Sequence, residues 1–100
     1  MVQGMLSPAK NKIIIDYLQQ YDPAKIGIFG SYAREENRPD SDLDILINLN
    51  TTISLFQLVR FERELSELLG VKVDLVSDGA IKNQKLRKYI EADLKIIFQA

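Results

Sequence analysis

The chain is 100 residues long, enough for one domain that buries roughly 60–70% of the surface its unfolded form exposes. Thirteen basic against fourteen acidic side chains leave a formal charge of −1, which excludes a global basic field for nucleic acid. Cysteine and histidine are absent, so disulfides, thiolate nucleophiles, Cys- or His-ligated metals and a Ser-His-Asp triad are excluded. Catalysis here must use carboxylates, hydroxyls, Lys, Arg, Tyr or a bound hard metal.

In chain order, Ser7-Pro8 opens the first element, a hydroxyl at the N-cap and a proline at the first helical position. Ile14, Leu18 and Tyr21 line one face with Ile13 and Tyr17 beside them, so residues 8–20 read as an amphipathic helix ended by Pro23. Lys25 to Phe29 is a short apolar run bounded by Gly30, a buried strand. Ser31 to Glu36 is expected to form a brief helix, and Asn37 to Asp40 a loop. Asp42 to Leu49 is a second strand, with Leu43, Ile45 and Ile47 on one face.

Ser54 and Gln57 make a capping box, with Ile53 and Leu58 placed as a hydrophobic staple. The helix that follows carries Leu58, Phe61, Leu65 and Leu68 as its core stripe, stops at Gly70, and turns Phe56 to the opposite side. Val71 to Val76 is a third strand, Asn83 to Glu91 a helix packed through Leu86 and Ile90, and Leu94 to Phe98 a last strand. Residues 1–100 read as a single domain without repeat, linker or low-complexity segment. The expected class is α/β (α+β), a small sheet with helices packed on it. No run approaches eighteen apolar residues and no signal-peptide core is present, so a cytoplasmic protein is expected.

The chemistry concentrates around Asp42 and Asp44. Side chains two apart on a strand share a face, so both carboxylates project together, and partly buried like charges repel and lose hydration. A divalent cation with oxygen preference offsets that cost. Asp74, in Val73-Asp74-Leu75-Val76, is another acid inside an apolar strand and joins the pair if strands 42–49 and 71–76 are neighbours. The plainer alternative has Asp42 capping a turn and Asp44 and Asp74 on a solvated sheet face. Gly30-Ser31 adds a strand-to-helix corner where backbone N–H groups and a hydroxyl can approach a phosphate, or else an ordinary turn with a serine N-cap. Arg34 and Arg38 can reach phosphate or pair with Glu35, Glu36 or Asp40. Lys82, Lys85, Arg87 and Lys88 form a basic stretch that reads as a solvated face or an acceptor contact.

Gly30-Ser31, ten residues, then Asp42-Leu43-Asp44 resembles the signature of the polymerase-β-like nucleotidyltransferase superfamily. The wider run Gly-Ser-Tyr-Ala-Arg … Pro-Asp-Ser-Asp-Leu-Asp is similar to its stand-alone minimal nucleotidyltransferase (MNT) branch, over residues 8–98. That resemblance implies a polymerase-β-like fold with a small mixed sheet. It implies Gly30 and Ser31 on the triphosphate of ATP, where Arg34 remains a further candidate, and Asp42, Asp44 and Asp74 as ligands of two Mg²⁺ ions. It also implies a role for Asp74 in deprotonating the acceptor. MNT proteins are typically paired with a small helical HEPN protein, often a toxin, so the implied activity is transfer of AMP to a hydroxyl of such a partner, a tyrosine in some members. The alternatives are an interaction module that neutralises a HEPN partner by covering it, and transfer to RNA ends or an antibiotic. A homodimer could also hold the acceptor. One departure stands out: the family usually has Gly after Ala-Arg, and here it is Glu35. A side chain with a Cβ resists positive φ, so this turn is expected to differ.

Overall fold

Ser7 does cap the first helix. In the computed structural model, which describes residues 7–100, its Oγ accepts the Lys10 N–H at 3.2 Å and Pro8 takes the first helical position. Helix α1 (Pro8–Gln19) buries Ile14 and Leu18. It ends before Pro23, which instead begins strand β1 (Pro23–Phe29). Strand β2 (Leu43–Leu49) runs antiparallel to β1, with Phe29 opposite Asp44 and Ile28 opposite Ile45. The capping box at helix α2 (Leu55–Leu69) is complete: Ser54 N–H donates to Gln57 Oε1 at 2.9 Å and Gln57 N–H to Ser54 Oγ at 3.2 Å. Gly70 closes α2 in the left-handed conformation, at φ 72°.

Strand β3 (Val73–Ser77) then pairs parallel to β2, a 3₁₀ turn (Asp78–Ala80) leads to helix α3 (Gln84–Asp93), and strand β4 (Lys95–Gln99) returns antiparallel to β1. The sheet order is β3-β2-β1-β4, a mixed four-stranded sheet with three helices. One face packs Ile26, Ile28, Leu43, Ile45, Ile47, Val73 and Leu75 against α1 and α2. The period of two sends Phe29 and Leu46 to the other face, where they meet Ile90 of α3. Among the described residues no helix is long and apolar enough to cross a membrane.

Three details depart from the sequence expectations. The core stripe of α2 is Phe61, Leu65 and Leu69, while Leu68 is 57% exposed. An i, i+4, i+8 row keeps facing the sheet, and Leu68 falls a step beyond it. Leu86 is 45% exposed because α3 rests on the sheet through Ile90, nearer its C-terminal end.

Ser31 to Glu36 is not a helix. It is a single turn in which Glu36 N–H reaches Ser31 O at 2.9 Å and Glu35 N–H reaches Tyr32 O at 3.2 Å. Those are the paired bonds of a Schellman closure, and Glu35 holds its left-handed position at φ 60°. The Cβ of Glu35 therefore does not divert the backbone from positive φ. The two hydrogen bonds impose the conformation at the expense of local strain. Glu35→Gly is expected to stabilise the protein by about 1 kcal/mol, seen as a higher urea midpoint at unchanged m-value.

Beside the site-bearing strands, α2 also finishes the sheet edge. Outward-facing donors of β3 are taken by α2 side chains: Val73 N–H donates to Ser66 Oγ at 2.9 Å and Leu75 N–H to Glu62 Oε2 at 2.8 Å. An edge strand with satisfied donors offers little to a passing strand.

Candidate active site

Parallel register does the assembling. Leu43 pairs with Val73 and Asp44 with Asp74, so the two carboxylates leave adjacent strands side by side on the α3 face of the sheet. Leu43 N–H donates to Lys72 O at 2.8 Å, which extends the alignment one residue back and sets Asp42 beside Lys72. Helix α3 covers Phe29 and Leu46 but leaves the beginnings of β2 and β3 open. Asp42 and Asp74 are exposed and Asp44 is half-buried. A groove of about 200 Å³ lined by Asn48, Thr51, Thr52 and Ser77 lies at the opposite ends of these strands, away from the carboxylates.

Gly30 completes the corner. It leaves β1 with φ 74°, and a Cβ placed on it would overlap Asp44 Oδ2. Glycine is favoured on two counts: for the left-handed backbone and for the room Asp44 takes beside it. Ser31 follows, half-buried, at the start of the turn. This corner leads into one turn rather than a helix, so the helix-terminus contribution to phosphate binding expected from sequence is lost. What it retains is a glycine packed against the Asp44 carboxylate with the half-buried Ser31 beside it.

Arg34 is held by other groups. Its Nη1 donates to Asp93 Oδ2 at 2.9 Å and its Nε to Glu36 Oε1 at 3.0 Å, which ties the β1–β2 loop to the end of α3. Arg38 is exposed, and its backbone N–H donates to Ser41 Oγ at 2.7 Å. Arg87 pairs with Asp78 at 3.1 Å and Glu91 at 3.6 Å, while Lys82, Lys85 and Lys88 are solvated. Sequence reasoning passed over Lys72, although its place two residues before Asp74 on one strand face was a usable signal. Nothing local marks Asp93 as the anchor of a residue 59 positions earlier.

Burial, then the negative charges of Asp74 and Asp42, push the Asp44 carboxyl up to about 6, against a partial offset from Arg34. Among the described residues no group of three or more His, Cys, Asp or Glu stands as a ready-made metal cage, and Asp42 lies 3.9 Å from Lys72. The donor set nonetheless fits a hard divalent cation: it is all oxygen, and the pKa of its innermost carboxyl is held up by burial and by the two neighbouring acids.

An acid whose folded pKa is raised contributes stability that is complete below its unfolded value near 3.8 and is lost as pH rises through about 6. In EDTA, Asp44→Asn is therefore expected to flatten the melting temperature against pH between 4 and 7. At pH 7.5 it should gain about 1 kcal/mol over wild type, after discounting for partial exposure. Equal pH slopes for the two proteins would contradict the assigned shift.

The nucleotidyltransferase domain family model matches residues 11–99. MJ1217 of Methanocaldococcus jannaschii, provisionally named a protein adenylyltransferase, is 50% identical over 76 residues, which is 76% of this chain and 78% of that protein. A toxin–antitoxin crystal structure with AMP-PNP superposes with a TM-score of 0.82 at 23% identity, over 90% of this chain and 73% of that one. The complex of a tri-AMPylated Shewanella oneidensis HEPN toxin with its MNT antitoxin does so at 0.75 and 21%, over 92% and 71%. At those identities the two structures speak for the fold, whereas the family model and the relative speak for descent. A minimal nucleotidyltransferase structure at 31% identity matches over 87% of this chain and 88% of that one with a TM-score of 0.73. The chain belongs to the nucleotidyltransferase domain family, in its minimal nucleotidyltransferase branch, and is a nucleotidyltransferase.

Proposed function

We propose that this nucleotidyltransferase moves AMP from Mg²⁺-ATP to a hydroxyl of a helical HEPN partner, a tyrosine, and thereby acts as its antitoxin. The observation that carries the reading is the in-register pair Asp44–Asp74 beside Gly30, where a Cβ would meet the Asp44 carboxylate. The names of the similar proteins support its finer parts: a protein adenylyltransferase at 50% identity, and folds solved as toxin–antitoxin complexes, one with AMP-PNP and one with an AMPylated HEPN toxin. The near-zero net charge agrees with a protein acceptor better than with an unaided RNA substrate.

In this reading Asp42, Asp44 and Asp74 hold the cations, and the Gly30-Ser31 corner holds the triphosphate through a backbone N–H and the serine hydroxyl. Bound Mg²⁺ supplies positive charge against the polyphosphate where negative charge develops. The acceptor oxygen forms a bond to the α-phosphorus as the bond to the α,β-bridging oxygen breaks. Pyrophosphate leaves with that electron pair, and the hydroxyl proton passes to Asp74. Asp74 suits that role because it is the exposed member of the pair, open to an incoming side chain. Asp44 is fixed under the corner and suits cation binding.

A second reading, neutralisation by binding alone, draws on Leu55, Phe56 and Val59. They form an exposed apolar group at the start of α2, with Phe56 89% exposed. One experiment separates the two. The protein is incubated with the HEPN partner and α-labelled ATP, and both label on the partner and relief of toxicity are followed. Transfer should fall by about two orders of magnitude or more in Asp42→Ala, Asp44→Ala and Asp74→Ala. Label that never appears, or a triple variant that silences the partner at wild-type strength, decides for binding alone.

A further inference from the structure

The four side chains at the open end of β2 and β3 are not all acids. Lys72 stands across from Asp42 as Asp74 stands across from Asp44, and the period of two brings Lys72 and Asp74 out on one face. Its backbone is fixed, because its carbonyl accepts the Leu43 N–H at 2.8 Å. Its side chain is loosely held: Nζ lies 3.9 Å from Asp42 Oδ2, and the two side chains are 78% and 45% exposed. An ion pair of that length and exposure is weak and easily exchanged. The contrast with Arg34 is direct, since that guanidinium is held at 2.9 and 3.0 Å by Asp93 and Glu36. A cation held firmly is a structural tie, whereas a cation on a fixed stem with a soft contact is available to a ligand.

We propose that Lys72 is a polyphosphate-positioning residue of this site: paired with Asp42 while the carboxylates lack a cation, and turned to a phosphate oxygen of the nucleotide once Asp42 is engaged by one. The inference rests on the nucleotidyl-transfer reading and adds to it a residue outside the Gly-Ser … Asp-x-Asp pattern. Lysine suits the task as a compact charge with three rotatable donors and a flexible four-carbon stem. The exchange also makes cation and nucleotide binding cooperative, because engaging Asp42 releases the donor that the phosphates use.

The test uses the full chain with Mg²⁺ and AMP-PNP, and reads binding and lysine reactivity rather than turnover. Limited acetylation followed by mass spectrometry should show Lys72 protected about fivefold or more by Mg²⁺-AMP-PNP, while Lys85 and Lys88, on the exposed face of α3, serve as internal references. By calorimetry Lys72→Met should bind Mg²⁺-AMP-PNP about tenfold more weakly than wild type, and Lys72→Arg within about threefold of it. Far-ultraviolet dichroism and the urea midpoint of each variant report that it folds. If wild type binds the analogue while Lys72 stays as reactive as before and Lys72→Met binds equally well, the proposal is overturned and nucleotidyl transfer stands. If wild type does not bind the analogue at all, both fall together.

Discussion

Everything chemical about this protein depends on two strands running the same way. Neighbouring parallel strands cannot be joined by a tight turn, so the chain must leave the end of β2, cross back, and enter β3 at the same end of the sheet. Helix α2 does this with 15 residues, about 22 Å of rise, started by a complete capping box and stopped by a left-handed glycine. Because the return is complete, position 74 arrives beside position 44 and position 72 beside position 42. An antiparallel β3 would have put the acid of that strand at the far end. The caps on α2 are thus part of the site, although they lie outside it.

The same alignment sets stability against chemistry. Asp44 takes a place that a Val or Ile would fill more cheaply, next to two other acids and under a glycine kept bare for it. The core on the opposite face, built on Phe61, Ile45, Ile47 and Leu65 at zero exposure, offsets that local cost. Strain at Glu35 and repulsion around Asp44 fall within one loop and the strand it feeds. Local conflicts of this kind, inside an otherwise consistent fold, concentrate where function resides.

Much of this was legible in the sequence because it is encoded locally. The Ser7 and Ser54 caps, the Gly70 stop, the inward face of β2 and the Gly-Ser … Asp-x-Asp spacing each involve residues close in the chain. Strand direction was not legible, since a buried strand carries the same apolar pattern either way. Leu68 and Leu69 are both leucines, and which one packs depends on the rotation at which α2 meets the sheet, a tertiary quantity. The turn at Ser31 to Glu36 was misjudged from composition because two hydrogen bonds override the preference of Glu35. The engagement of Arg34 by Asp93 depends on where α3 ends, far along the chain.

The finished border of β3 constrains how another polypeptide can reach Asp74. Val73 and Leu75 spend their free amides on Ser66 and Glu62, so the outermost strand is no template for a guest strand to zip onto. With those two donors taken, Asp74 is reached more readily from the open face of the sheet, by a residue protruding from a helix or loop, than along the strand edge.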